Sequence, residues 1–212
     1  NLFDLKNIKS FLEKLKHIKK IDLLVNNAGG IINEKNNINK SKNINLNYLS
    51  HIYLTKKLTK KFKNSKIQKI IFISSHVHKN IDKFEFLKIN KTYNAWKLYK
   101  LSKLFLTTYS VILKKEKNKI KIFTINPGRI SSNFNIQNNK LLSKLINVYL
   151  YIFGNNTDIV SKKIIKLIEK KTYNKKYFYF DIDKPSKINQ LCLNKTFQKK
   201  LLKFTKLKLS NL

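Results

Sequence analysis

The stretch Ile67–Ser75, Ile-Gln-Lys-Ile-Ile-Phe-Ile-Ser-Ser, decides the fold. From Ile67 to Ser74 it is a β-branched run of strand length that stops at two serines. Its flanks say what kind of sheet it joins. Upstream, Leu46 to about Phe62 reads as a helix, preceded by a polar stretch, Asn33–Asn43, that reads as a loop. Further upstream, Leu5, Ile8, Phe11, Leu12, Leu15 and Ile18 recur at three and four residues with Lys and Glu between them, an amphipathic helix. A short apolar run, Ile21–Val25, follows as a buried strand and ends at Asn26-Asn27-Ala28-Gly29. Downstream of the serines comes a long polar connection, then a helix from about Ala95 to Lys114 and a strand from Ile120 to Ile125, closed by Pro127 and Gly128.

This alternation of helix and strand predicts an α/β fold: a parallel sheet with right-handed crossovers, helices on both faces and ligands beyond the carboxyl ends of the strands. Beyond it, Leu141–Phe153 is mostly apolar but too short to span a bilayer, so it reads as a buried helix or a lid. Val160–Ile168 reads as a helix and Tyr177–Phe180 as an aromatic strand. The basic amphipathic end, Phe197–Leu209, is expected to pack on the domain with a solvated lysine face, in preference to lying on a membrane as a peripheral contact.

A chain of 212 residues, 42% hydrophobic and 12% aromatic, is one domain and too apolar for a disordered tail. It has no run of about 20 apolar residues for a spanning helix. Its single cysteine, Cys192, cannot close an internal disulfide, and no Cys/His cluster has zinc spacing; a reducing compartment, cytoplasmic or membrane-associated, fits. The net charge of +35 suggests a polyanion partner, yet Arg129 is the only arginine. Lysine rises together with asparagine and isoleucine along the whole chain, so compositional drift explains the charge better than specific nucleic-acid binding.

The residues able to carry chemistry gather at strand ends. Ser74 and Ser75 follow one strand, Asn26–Gly29 another, and Tyr99 and Lys103 lie on the helix feeding the third. Four residues apart on a helix, a phenol and an ammonium share a face, and the cation favours phenolate. Such a tyrosine exchanges a proton with an alcohol or carbonyl. The spacing recurs at Tyr53/Lys57 and Tyr93/Lys97, and about two matches are expected by chance in so lysine-rich a chain. Tyr53 reads as core, and context must choose between Tyr93 and Tyr99, which lie too far around a helix to share one site. His76 and His78 read as surface or substrate-loop residues on an extended segment, with no metal ligand set beside them.

Asn26-Asn27-Ala28-Gly29, Ile73-Ser74-Ser75, Tyr99-Lys100-Leu101-Ser102-Lys103 and Pro127-Gly128, in this order, resemble the short-chain dehydrogenase/reductase superfamily. Leu46–His51, Tyr93-Asn94-Ala95-Trp96 and Lys176-Tyr177-Phe178 are similar to its retinol dehydrogenase branch. The resemblance implies a Rossmann-like doubly wound parallel sheet and an oxidoreductase using NADP or NAD on a small apolar alcohol or carbonyl. It selects Tyr99 as the proton donor or acceptor, with Lys103 lowering its pKa and bonding the nicotinamide ribose, Ser75 orienting the carbonyl, and Asn47 completing the tetrad through a water. It further implies that Asp4 touches the adenine, that Asn27, Ala28 and Gly29 line the adenosine ribose, and that Pro127, Gly128, Ile130 and Ser132 frame the nicotinamide.

Members of that family begin with a strand and a glycine-rich turn at a helix N-terminus. The four glycines of this chain, Gly29, Gly30, Gly128 and Gly154, form no G-x-x-x-G-x-G turn. The chain starts at Asn1 without a signal sequence, and the resemblance implies that roughly 60 to 90 residues of the domain precede Asp4, leaving the strand at Leu23 with an uncovered apolar edge. An inactive truncated remnant and a basic polyanion-binding protein are the alternative readings.

Overall fold

The computed structural model describes residues 2–62, 65, 67–81, 90–117, 119–130, 136–137, 144, 148, 150–151, 154–170 and 178–210. Ser132 and Tyr177 lie outside these residues, as does most of the expected lid, 141–153. Helix α1 (Leu5–Lys14) precedes β1 (Leu23–Asn26) and the short strands β2 (Ile31–Ile32) and β3 (Lys35–Asn37). A single turn, α2 (Lys42–Ile44), runs through a π-helical turn (Asn45–Leu49) into α3 (Ser50–Leu58) and a 3-10 turn (Thr59–Phe62). Next come β4 (Lys69–Ile73), a 3-10 turn (His76–Asn80), β5 (Thr92–Asn94), the long helix α4 (Ala95–Glu116), β6 (Lys121–Asn126) and β7 (Ile136–Gln137). Helix α5 (Thr157–Glu169), β8 (Tyr179–Asp181), β9 (Lys184–Pro185), a 3-10 turn (Gln190–Leu193) and α6 (Lys195–Ser210) complete the order.

The main sheet runs β1-β4-β6-β8-β9. Its first three pairings are parallel, and only the two-residue β9 is antiparallel to its neighbour β8. The run Lys69–Ile73 needs no alternation of polar and apolar residues because both of its faces are covered. Ile70, Phe72 and Ile122 point into a large core with Leu101, Leu104 and Phe105 of α4. Ile71, Phe123, Ile125 and Phe180 point the other way, onto Leu167 and Ile168 of α5. Helices therefore lie on both faces, as expected. Helix α6 adds an outer layer, with Phe197, Leu201 and Phe204 in the α4 core, while Lys199, Lys200, Lys203 and Lys206 are exposed. The packed arrangement is thus the one adopted by the basic end. No helix among the described residues is long and apolar enough to cross a membrane. Strand β1 is one edge of the sheet, with Leu23 and Val25 exposed.

The stretch Asn33–Asn43 is not simply a loop. Its Lys35–Asn37 pairs antiparallel with Thr92–Asn94, a segment of the long polar connection, and Lys42 already starts a helix. Two polar surface strands carry no hydrophobic period to reveal them. What holds the stretch is Glu34: its carboxylate accepts from Ser41 Oγ at 2.6 Å, Asn43 N at 2.8 Å, Asn43 Nδ2 at 2.8 Å and Lys42 N at 3.1 Å. Half-burial pushes the carboxyl pKa up, but these donors together hold it below the usual range. Asn43 in turn accepts from Ile32 N at 2.9 Å and donates to Ile32 O at 2.7 Å, tying the helix start to β2. Glu34→Ala is expected to cost about 1–3 kcal/mol of stability, since it strips the charged acceptor from several donors at once; urea denaturation measures it.

Candidate functional site

Helix α4 meets the sheet along a polar seam spaced four and three residues apart, one helical face. Lys103 Nζ donates to Ile73 O at 3.0 Å, Thr107 Oγ1 lies 2.7 Å from Ser74 Oγ, and Thr124 Oγ1 donates to Ser110 Oγ at 2.7 Å. The two hydroxyl bonds are buried and the lysine bond is partly so, and sliding the helix along the strands would leave them unmade at a cost for each group. The seam fixes the axial position of α4 and brings Tyr99, one turn before Lys103, over the end of β4.

There the Tyr99 hydroxyl is hydrogen-bonded to Ser75. Lys103 Nζ lies over the Tyr99 ring, 5.6 Å from its centroid. Burial pushes the phenol up to about 12, with the Ser75 bond opposing it, and pushes the Lys103 ammonium down to about 8. The phenol pKa thus rises, contrary to what the Tyr-x-x-x-Lys spacing suggests. The ring is desolvated and the ammonium faces its π-surface and a main-chain carbonyl, so burial outweighs the cation.

Asn47 lies in the π-helical turn, a kind of distortion frequent at functional sites. Its amide brackets one residue, Gly30: Oδ1 accepts from Gly30 N at 3.1 Å, while Nδ2 donates to Gly30 O at 2.9 Å and also to Asn43 O at 3.0 Å. A Cβ on Gly29 would sit 2.7 Å from Asn47 Oδ1 and 3.4 Å from Lys103 Nζ. The structure therefore brings Gly29, Asn47 and Lys103 together, with Tyr99 and Ser75 joined through Lys103. Gly29→Ala is expected to lower turnover by about 10- to 100-fold by displacing Asn47 or the loop; steady-state kinetics beside a thermal melt separates this from unfolding.

Asn27 and Ala28 are exposed beyond β1, and Asp4 is exposed at the head of α1, where its carbonyl accepts from Asn7 N. Pro127, Gly128 and Ile130 lie beyond β6, with Gly128 at φ 76°, a left-handed backbone that favours glycine. This turn is anchored by Asn126, whose Oδ1 accepts from Gly128 N at 3.2 Å and whose Nδ2 donates to Asp181 Oδ1 at 3.0 Å. Ile130 bridges to Asn155.

Two histidines were not singled out correctly by sequence. His51, four residues after Asn47, is buried and places Nε2 2.7 Å from Ala28 O, holding the loop from below. Burial, then the Lys103 charge, pushes it down to about 4. His78 is not a surface residue. The chain after Ser75 turns as a 3-10 helix instead of staying extended, which buries the His78 ring against Tyr179 at 5.1 Å and sets Nδ1 2.6 Å from Ser75 O. Asn189 Nδ2 clamps the same turn by donating to the carbonyls of His78, Lys79 and Ile81. His76 is exposed and Tyr53 buried, as expected.

A nicotinamide ribose has hydroxyls that accept and donate, and the donor set here fits it. Lys103 carries three N–H groups, one of them taken by Ile73 O, beside the space that a Cβ on Gly29 would fill. The described residues show no group of three metal-ligating side chains.

Residues 1–142 match the family model of short chain dehydrogenases. Human retinol dehydrogenase 11 is 30% identical over 139 residues, which cover 62% of this chain and 43% of that protein. The chain thus matches less than half the length of this curated relative. Among solved structures, NADPH-bound carbonyl reductase from chicken fatty liver superposes with a TM-score of 0.60 at 19% identity, covering 88% of this chain and 74% of that one. A short-chain dehydrogenase from Streptomyces avermitilis gives 0.59 at 15% identity, covering 100% and 75%. At such identities the structural likeness shows the fold.

Proposed function

Because this chain belongs to the short-chain dehydrogenase family, we propose that it is an NAD(P)-dependent oxidoreductase acting on an apolar alcohol or carbonyl. The observation that carries this reading is the hydrogen bond between Tyr99 and Ser75 at the end of a parallel strand, with buried Lys103 against the tyrosine ring. When bound, the dinucleotide supplies or takes the hydride.

The chain's own residues manage the proton and the geometry. With its pKa at about 12, Tyr99 is a neutral phenol at physiological pH, the form that donates a proton to a carbonyl oxygen becoming an alkoxide. Ser75 directs its hydroxyl to the same oxygen, and its own carbonyl is held by His78. Lys103 would hold the nicotinamide ribose through its ammonium, which lies beside Gly29. Asn47 holds the Gly29-Gly30 peptides in the shape that leaves this space open and, by family resemblance, relays a proton through a water. Asn27, Ala28 and Asp4 are assigned to the adenosine end, and Pro127, Gly128, Ile130 and Ser132 to the nicotinamide. The glycine-rich pyrophosphate turn of the family is not among these 212 residues. Similarity to human retinol dehydrogenase 11 supports an apolar substrate, with retinal the first to try.

The test is NADPH oxidation by the protein with all-trans-retinal, followed by nicotinamide absorbance. Turnover that depends on Tyr99 supports the reading. Turnover undiminished in Tyr99→Phe overturns the assignment, and absence of any dinucleotide binding favours the remnant.

A further inference from the structure

Trp96, the one tryptophan of the chain, stands one helical turn before Tyr99 and is 49% exposed. Its ring is stacked on the Tyr99 ring, centroids 5.7 Å apart and planes 24° from parallel. Tyr99 itself is 8% exposed, packed with Ile31, Val77 and Ala95. The indole therefore covers one side of the phenol and leaves a broad apolar surface in water beside it. A scattered exposed hydrophobic residue is ordinary. This one lies against the residue that gives the proton, at the end of the sheet where ligands of this architecture bind.

We infer that Trp96 is a specificity-determining residue whose uncovered surface takes a flat, conjugated or aromatic part of the substrate, while Tyr99 and Ser75 hold its carbonyl oxygen. The inference rests on the proposed role of Tyr99 and adds the substrate class. A planar π-system offset-stacks on the indole and gains a contact beyond simple burial. A puckered, saturated ring of the same size has no such face to offer, so it gains only the burial.

The lone tryptophan makes the test direct, since fluorescence excited beyond the tyrosine band reports Trp96 alone. The probes are benzaldehyde, which is planar, and cyclohexanecarbaldehyde, which is puckered and of similar size; no dinucleotide is needed. Saturable quenching by benzaldehyde is expected, with affinity by ligand-observed NMR about fivefold above that of cyclohexanecarbaldehyde, the size of one aromatic contact. Trp96→Phe should keep most of this preference, and both Trp96→Ala and Trp96→Leu should erase it, each judged on protein whose thermal melt shows folding. Purely collisional quenching, or a preference that survives in Trp96→Leu, overturns the inference. Failure of the proton-donor role is seen separately, as turnover retained by Tyr99→Phe while benzaldehyde quenching persists.

Discussion

Tyr99→Phe is expected to reduce carbonyl turnover by about 10³-fold, within the range for removal of a positioned proton donor, and to leave the fold nearly unchanged. The substitution deletes one oxygen. The ring keeps its stack on Trp96 and its packing against Ile31 and Val77. What disappears is the phenolic hydroxyl and its hydrogen bond to Ser75. Dinucleotide binding, which the proposed function assigns to Lys103 and the Gly29 loop, should be retained. The measurement is kcat with saturating NADPH beside a binding titration of NADPH. A fall in kcat with little change in dinucleotide affinity is the signature of an interaction made in the transition state. A loss confined to dinucleotide affinity would assign the tyrosine a binding role instead.

Lys103→Met is expected to remove activity and to stabilise the protein near neutral pH. Lys103 is 3% exposed, and burial depresses its pKa to about 8 from an ordinary 10.5. The unfolded chain thus holds this proton more tightly than the folded one. Below pH 8 both states are charged and the folded state carries the full cost of burying the ammonium. Between pH 8 and 10.5 the folded lysine is neutral while the unfolded one remains charged, so stability rises with pH in that window. Methionine occupies similar space without charge. Urea unfolding of both proteins at several pH values should show the variant more stable at pH 7, with its advantage shrinking towards pH 10.5. Comparing the pair cancels the titration of the other lysines. A variant less stable at pH 7 would mean that the Ile73 carbonyl contact outweighs the buried charge. Turnover should fall at least about 100-fold, as for loss of a positioning group in the site.

The strands that matter were legible because they are buried. Ile70, Ile71 and Phe72 must be apolar to lie between two helical layers, and Ile122, Phe123 and Ile125 repeat the demand. The helix carrying Tyr99 was legible because its apolar stripe faces the same core. The short pairings of β3 with β5 and of β2 with β7 were not, since two or three residues leave no period to detect. Nor was the burial of His78 readable, because a 3-10 turn and an extended chain differ in backbone angles that Ser-His-Val-His does not dictate. Its environment is supplied by Tyr179 and Asn189, about one hundred positions later. His51 lies within the Leu46–His51 motif, but its partner is a carbonyl at Ala28, and a main-chain acceptor leaves no mark in side-chain sequence.

The Asn189 clamp bears on the order of assembly. A single amide near the C-terminal helix closes the turn that follows Ser75, so a contact spanning more than one hundred residues must form before that turn is fixed. Contacts of such sequence separation pay their loop-closure entropy late and slow folding. The parallel strands and α4 can dock first on hydrophobic burial alone, whereas the serine waits for the last quarter of the chain. On a ribosome, which delivers the chain from its N-terminus, the turn after Ser75 would therefore be fixed only once Asn189 has emerged.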